Sequence, residues 1–257
     1  GIIDYADNTV RYSSTLEWHD VAVAARVRDA VARRLGPGRS VPTITLENDA
    51  KLAALATYER YAQTGVRNLL YLSGGEGIGA GIISDGHLLR GAAGFGGEIG
   101  HINVVPGGRP CGCGLRGCLE RYSAGTALGV NGWELAQFRP AYAARIIELS
   151  GGDPEHISGK AVTAAAREGD PAALECYEQL THWLGVGLAD MCALLDPEVI
   201  VIAGGLAEAG DILLTPARKA FTANLTAGTH RPAIPVVLAE GGQEAGLVGA
   251  ADLARQP

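Results

Sequence analysis

Between Gly97 and Glu120 the chain reads GEIGHINVVPGGRPCGCGLRGCLE, and no other stretch restricts its fold as much. His101, Cys111, Cys113 and Cys118 follow the pattern H-x9-C-x-C-x4-C. Three thiolates and an imidazole are a complete tetrahedral set for zinc, the usual composition of a structural site. Gly107, Gly108, Gly112, Gly114 and Gly117 allow the tight turns that bring the four ligands together. A disulfide between Cys111 and Cys113 would close a small strained ring, and three idle thiols in an exposed loop would invite oxidation. Four protein ligands leave no open position for a substrate, so the expected Zn2+ is structural.

The rest of the composition bounds the setting. Five cysteines, an odd number, suit reduced thiols better than a disulfide framework, and Cys176 and Cys192 lie in helical-looking sequence as small core residues. A net charge of -7 argues against a chain that grips nucleic acid by itself. No apolar run is long enough to span a bilayer, and GIIDYADNTV lacks the basic-then-apolar order of a signal peptide, so a cytoplasmic protein with no membrane partner is expected. His19, His87, His156, His182 and His230 stand alone, without partner spacing.

Patterning predicts a strand over Thr9–Ser13, a helix over about Asp20–Arg34, and a short β-branched strand over Thr43–Leu46. A helix succeeds Asn48 and Asp49, with Leu52, Leu55 and Ala56 on one stripe and either of the pair as N-cap. Asn68–Ser73 and the glycine-rich GGEGIGAGII form two strands, the second ending in the turn SDG. Residues 123–169 read as irregular and helical. A long helix over Pro171–Leu195 carries Leu174, Tyr177, Leu184, Leu188 and Leu195. The strand PEVIVIAGG, a helix over Asp211–Leu225, the strand IPVVLAE and a closing helix over Glu244–Arg255 complete an α/β chain with a helix-covered sheet.

GGEIGH followed by C-x-C-G-x-x-G-C-L-E resembles the signature of the ROK family, which comprises bacterial repressors, open reading frames and sugar kinases. The likeness continues through LENDA, the glycine hairpin and VIVIAGGLAEAGD, and so covers nearly the whole chain. It implies an actin-like, ribonuclease-H-like fold of two lobes with a sugar in the cleft between them. Residues 1–50 would be the remnant of a small N-terminal lobe whose first part is missing, with the closing helix at about 244–257 returning to it. Residues 51–243 would be the large lobe, carrying the zinc loop 101–118. Asn48 and Asp49 match the family's sugar-gripping pair, and in its kinases the residue matching Asp49 is the general base. Glu98, His101 and Glu120 match the remaining sugar contacts. Carboxylates are strong acceptors for hydroxyls, and a histidine bound to metal through one nitrogen keeps the other for a ligand. Gly75, Gly77 and Gly79 match the second phosphate loop of the kinases, and Gly204 and Gly205 the adenosine-side loop.

Two departures set the functional expectation. The D-x-G-G-T phosphate loop of the family's kinases is absent from this sequence, and their G-T-G-I-G becomes Gly75-Glu76-Gly77-Ile78-Gly79. Two like charges about 4 Å apart repel by roughly 4 kcal/mol near a protein surface, so Glu76 weighs against a triphosphate. The S-G-x-x-G wording is similar to that of the family's actinobacterial regulators. The main expectation is therefore the sugar-sensing effector domain of a transcriptional regulator, binding a hexose or N-acetylhexosamine. It would meet DNA only through a winged helix-turn-helix upstream of Gly1, and it would form a homodimer or homotetramer. The alternative is an ATP-dependent sugar kinase of glucokinase, N-acetylmannosamine kinase or N-acetylglucosamine kinase type, using ATP and Mg2+, with Asp49 as base.

Overall fold

A computed structural model describes residues 1–13, 16–240 and 244–255. The last two positions of the expected closing helix, and the expected lobe boundary at 243, lie outside the described residues. The chain opens with three antiparallel strands in spatial order, β1 (Ile2–Asp4), β2 (Thr9–Ser13) and β3 (Trp18–Val21). β3 occupies the start of the segment predicted as helix, so α1 begins later and runs over Val23–Leu35. Thr43–Leu46 is not a strand, although it carries the β-branched residues of one. No neighbouring strand among the described residues takes up its backbone, and the Leu46 N–H is satisfied instead by the Asn8 side chain at 2.9 Å.

The second sheet is built from β4 (Leu69–Gly74), β5 (Ile78–Ser84), β6 (His87–Leu88), β7 (Val199–Ala203) and β8 (Val236–Leu238). Its order is β6-β5-β4-β7-β8. β5 runs antiparallel to β4 and β6, while β4, β7 and β8 are parallel. Counted from β4 this is a mixed sheet of order 3-2-1-4-5 with its second strand reversed, the ribonuclease-H-like arrangement expected. Every residue of β7 is buried, because helices cover both faces.

On one face lie α2 (Asp49–Ala62) and α9 (Ala245–Arg255), over Leu69, Tyr71 and Val201. The other face carries α3 (Glu120–Ser123), α4 (Gly125–Phe138), α5 (Ala144–Leu149), α6 (Gly159–Arg167), α7 (Pro171–Leu195) and α8 (Asp211–Asn224), over Leu70, Leu72 and Ile202. α7 starts with Pro171 behind an Asp170 N-cap that accepts from the Ala173 N–H at 2.9 Å. Leu180, Leu184 and Leu188 fill the core, as do Cys176 and Cys192, whereas Leu174 is exposed in spite of its helical spacing. Among the described residues no helix is long and apolar enough to cross a membrane.

α2 differs from its predicted stripe. Its buried face is Ala50, Lys51, Ala53 and Ala54, with Leu52 and Leu55 only half-buried. Small residues are required because the helix lies directly on the glycines of β5. A Cβ on Gly79 would stand 2.9 Å from the Ala50 Cβ, and one on Gly81 would overlap Ala54. α9 approaches as closely from outside, its Gly249 against the Leu52 carbonyl. Gly81→Ala should therefore lower stability by about 1–3 kcal/mol through overpacking. Gly75→Ala, at a position with no heavy atom within 4 Å, should stay within about 0.5 kcal/mol of the parent. Urea midpoints with unchanged m-values are the measurement.

Candidate functional site

The first two residues of β5 collect the predicted site residues from three directions. From α2, Ala50 rests on Gly79 and so brings the start of the helix to the strand. Asn48 is the N-cap, its side-chain oxygen accepting from the Ala50 and Lys51 N–H groups at 3.0 and 3.3 Å. Capping uses the oxygen and leaves the amide nitrogen facing outward, where it donates to the Gly1 carbonyl at 3.4 Å. Asp49 comes next as the first helical residue, exposed, with Oδ1 accepting from the Ala50 N–H at 2.9 Å. A carboxylate is favoured at that end of a helix. Capping and ligand binding are compatible here because they engage different atoms.

The second direction is the short 3-10 turn Ile99–His101 behind Glu98. Gly100 lies against the Ile78 carbonyl with no room for a side chain, which sets Glu98 and His101 beside the start of β5. The third is Glu120, at the head of α3. Its Oε2 accepts from the Ile78 N–H at 3.5 Å and lies where a Cβ on Gly77 would be, 2.8 Å away. Its Oε1 accepts from the Cys111 thiol at 3.1 Å. Glu120 therefore links β5 to the cysteine loop.

That loop brings its four expected ligands together. The ligand atoms of His101, Cys111, Cys113 and Cys118 all lie within 4.8 Å of one another. His101 Nδ1 is 3.6 Å from the Cys111 sulfur, and the Cys113 and Cys118 sulfurs are 3.6 Å apart. Zinc–sulfur bonds of about 2.3 Å in a tetrahedron need sulfur–sulfur edges of about 3.8 Å, so the donor set fits Zn2+. Because Nδ1 faces the sulfurs, Nε2 is the nitrogen left for a ligand. Burial pushes the Cys111 and Cys118 thiols up. At Cys113 burial also pushes upward, but hydrogen bonds from the Leu115 N–H and the neighbouring thiols outweigh it and hold the group low. The loop is tied down at both ends. The Tyr122 hydroxyl accepts from the Arg109 N–H at 2.6 Å, and Tyr12 on β2 donates to the Gly112 carbonyl at 3.2 Å.

The predicted phosphate glycines divide by their surroundings. β4 and β7 are parallel, so Gly74–Gly75 and Gly204–Gly205 leave the sheet at one edge, where ligands of open α/β sheets bind. A Cβ on Gly204 would meet the Gly74 carbonyl at 2.5 Å, so the two loops touch. Gly75 and Gly205 face open space, whereas Gly77 and Gly79 are accounted for by Glu120 and Ala50. Glu76 is exposed, and its carbonyl accepts from the Thr126 hydroxyl at 2.7 Å. Thr126 is not among the predicted site residues, although it lies just beyond the cysteine loop and opens α4 beside Gly75. Lys51 also escapes a reading of the sequence, since a lysine in a helix looks like surface; here it is 2% exposed.

The ROK family model matches residues 1–257. The glucokinase of Streptomyces coelicolor is 39% identical over 257 residues, covering 100% of this chain and 78% of that protein. A crystal structure of a ROK family glucokinase from Streptomyces griseus in complex with glucose and AMPPNP superimposes with a TM-score of 0.88 at 39% identity, covering 100% of this chain and 80% of that one. The xylose repressor of Caldicellulosiruptor bescii matches at 29% identity over 85% of this chain and 52% of its own length. The expected nearness to regulators is thereby corrected, because the wording of one glycine loop is outweighed by identity along the whole chain.

Zinc content provides the check on the cysteine loop. One zinc per chain is expected by elemental analysis, and Cys113→Ser should lose it. In the metal-free protein the raised thiols of Cys111 and Cys118 are protonated at neutral pH and must give up protons to the metal. Zinc affinity should therefore rise as pH rises, with proton release visible in calorimetry.

Proposed function

Because this chain belongs to the ROK family, we propose that it is an ATP-dependent hexose kinase, with glucose as the first substrate to test. The observation that carries this reading is the whole-chain match to a glucokinase structure holding glucose and a nucleotide analogue. It displaces the regulator reading drawn from the sequence. Glu76 does not oppose it, since an exposed side chain can stay in solvent while the neighbouring backbone meets phosphate.

In the proposed reaction Asp49 accepts the proton of the attacking sugar hydroxyl. The hydroxyl oxygen forms a bond to the γ-phosphorus, the bond to the bridging oxygen of ADP breaks, and a sugar phosphate and ADP leave. Mg2+ bound with ATP offsets the phosphate charge, and positioning supplies most of the remaining acceleration. Glu98, Glu120 and the outward amide nitrogen of Asn48 orient the other hydroxyls, together with His101 Nε2. Zn2+, when bound, supplies rigidity to the loop that carries His101 and precedes Glu120. Gly75 and Gly205 offer bare backbone at the sheet edge for the nucleotide.

The xylose repressor among the relatives keeps a second reading open, in which the pocket binds sugar without turnover. Sugar-dependent ADP release separates the two. The parent should show it with a hexose, and Asp49→Asn should lower turnover by about 10²–10⁴-fold while glucose still binds in calorimetry. Clear glucose binding with no ADP release by the parent would transfer the protein to the sensing class.

A further inference from the structure

A buried ionic cluster lies beside the pocket and takes no part in the chemistry above. Lys51 donates from Nζ to the Gly94 carbonyl at 2.6 Å. The Glu47 side chain, 1% exposed, accepts from Arg90 Nε at 2.8 Å. The Tyr5 ring closes the cluster, its centroid 5.7 Å from Lys51 Nζ and 5.6 Å from the Arg90 guanidinium. Gly94 lies so close to that ring that no Cβ would fit. Burial lowers the Lys51 pKa, while the charges of Glu47 and Glu98 act to raise it.

Sequestering an ammonium group is unfavourable unless its surroundings offset the lost hydration. A leucine would serve for packing alone, so the charge and the donor at this position need another reason. The segment Lys51 grasps is RGAAGFGGE, residues 90–98, in which Gly91, Gly94, Gly96 and Gly97 leave the backbone little intrinsic preference. Glu98 ends that segment, and Asp49 stands two residues before Lys51. The Lys51–Gly94 hydrogen bond therefore joins the loop carrying one proposed sugar contact to the helix carrying the proposed base. Gly97 lies along the same lysine side chain, where a Cβ would stand 3.7 Å from Cε.

We propose that Lys51 is a positioning residue for the sugar pocket, holding loop 90–98 on α2 through Gly94 and so fixing Glu98 relative to Asp49 before sugar arrives. This rests on the sugar-pocket reading above, but not on turnover. Preorganisation contributes affinity by removing an ordering cost at binding, so the effect should fall on sugar and spare nucleotide. In the intact protein, Lys51→Met should weaken glucose binding by about tenfold or more, with AMPPNP binding within about twofold of the parent and zinc content unchanged. Unchanged glucose affinity in Lys51→Met, or equal weakening of glucose and AMPPNP, would overturn the proposal.

Hydrogen exchange of the parent gives an arm that needs no variant. The Gly96 amide, which donates to the Arg90 carbonyl at 2.8 Å within the held loop, should already exchange slowly without sugar, whereas free exchange there until glucose is added would mean the loop is not held. A parent that binds glucose but releases no ADP would remove the kinase reading and leave this one standing. A parent that binds no glucose would remove the pocket reading, and slow or free exchange would then decide whether Lys51 holds the loop.

Discussion

The contact between the first turns of α2 and the glycines of β5 is the constraint on which the rest of the site depends. Ala50 on Gly79 and Ala54 on Gly81 bring a helix and a strand closer than side chains of ordinary size allow. Because the helix starts at Asp49, that close approach sets a carboxylate beside the end of β5 where Ile78 also meets Gly100 and Glu120. Widening the helix–strand gap by one methyl group on each partner would separate Asp49 from the acids across the strand. Small residues thus hold space for chemistry here, and a larger apolar stripe would give a better core and a worse pocket.

Acids gathered at one place repel, and each needs its position enforced from outside. Two devices do this in different ways. The Cys3His cluster ties down the loop between His101 and Cys118, and Glu120 follows two residues later with Oε2 held by the Ile78 N–H. Glu98 adjoins the turn of the ligand His101, whose N–H donates to the Glu98 carbonyl at 3.1 Å, and on its other side it ends a glycine-rich segment whose hold on α2 comes from a buried lysine. Metal coordination suits a loop that must turn through four ligand positions. A single charge-assisted hydrogen bond suits a loop that needs one fixed point.

The nucleotide side is a product of topology. Parallel pairing of β4 and β7 makes their carboxyl ends emerge together, so Gly75 and Gly205 present bare backbone on one edge while α4 begins beside them at Gly125, whose N–H meets the Gly75 carbonyl at 2.8 Å. Five glycines that look equivalent in a motif have separate duties. Two face open space, and three have a neighbouring group within 3 Å of where a Cβ would stand.

Much of this is legible in the residue order. The gathering of the Cys3His residues is, because soft ligand chemistry at short spacing among glycines has few other uses, and so are α2, α7 and the strands β4, β5, β7 and β8, whose patterns are local. Thr43–Leu46 misleads because a strand exists only by virtue of a partner, and residue type says nothing about whether one is near. The buried face of α2 misleads for a related reason: hydrophobicity marks large residues, but the surface it packs on is made of glycine and rewards small ones. The sequence by itself determined which groups could bind metal, accept hydroxyl protons or bare a backbone, because those are properties of side chains. Only the tertiary structure decided which of them meet, that Lys51 lies inside and Leu174 outside, and which glycines are open, because proximity between residues distant in the chain comes from packing and leaves no mark on either residue alone.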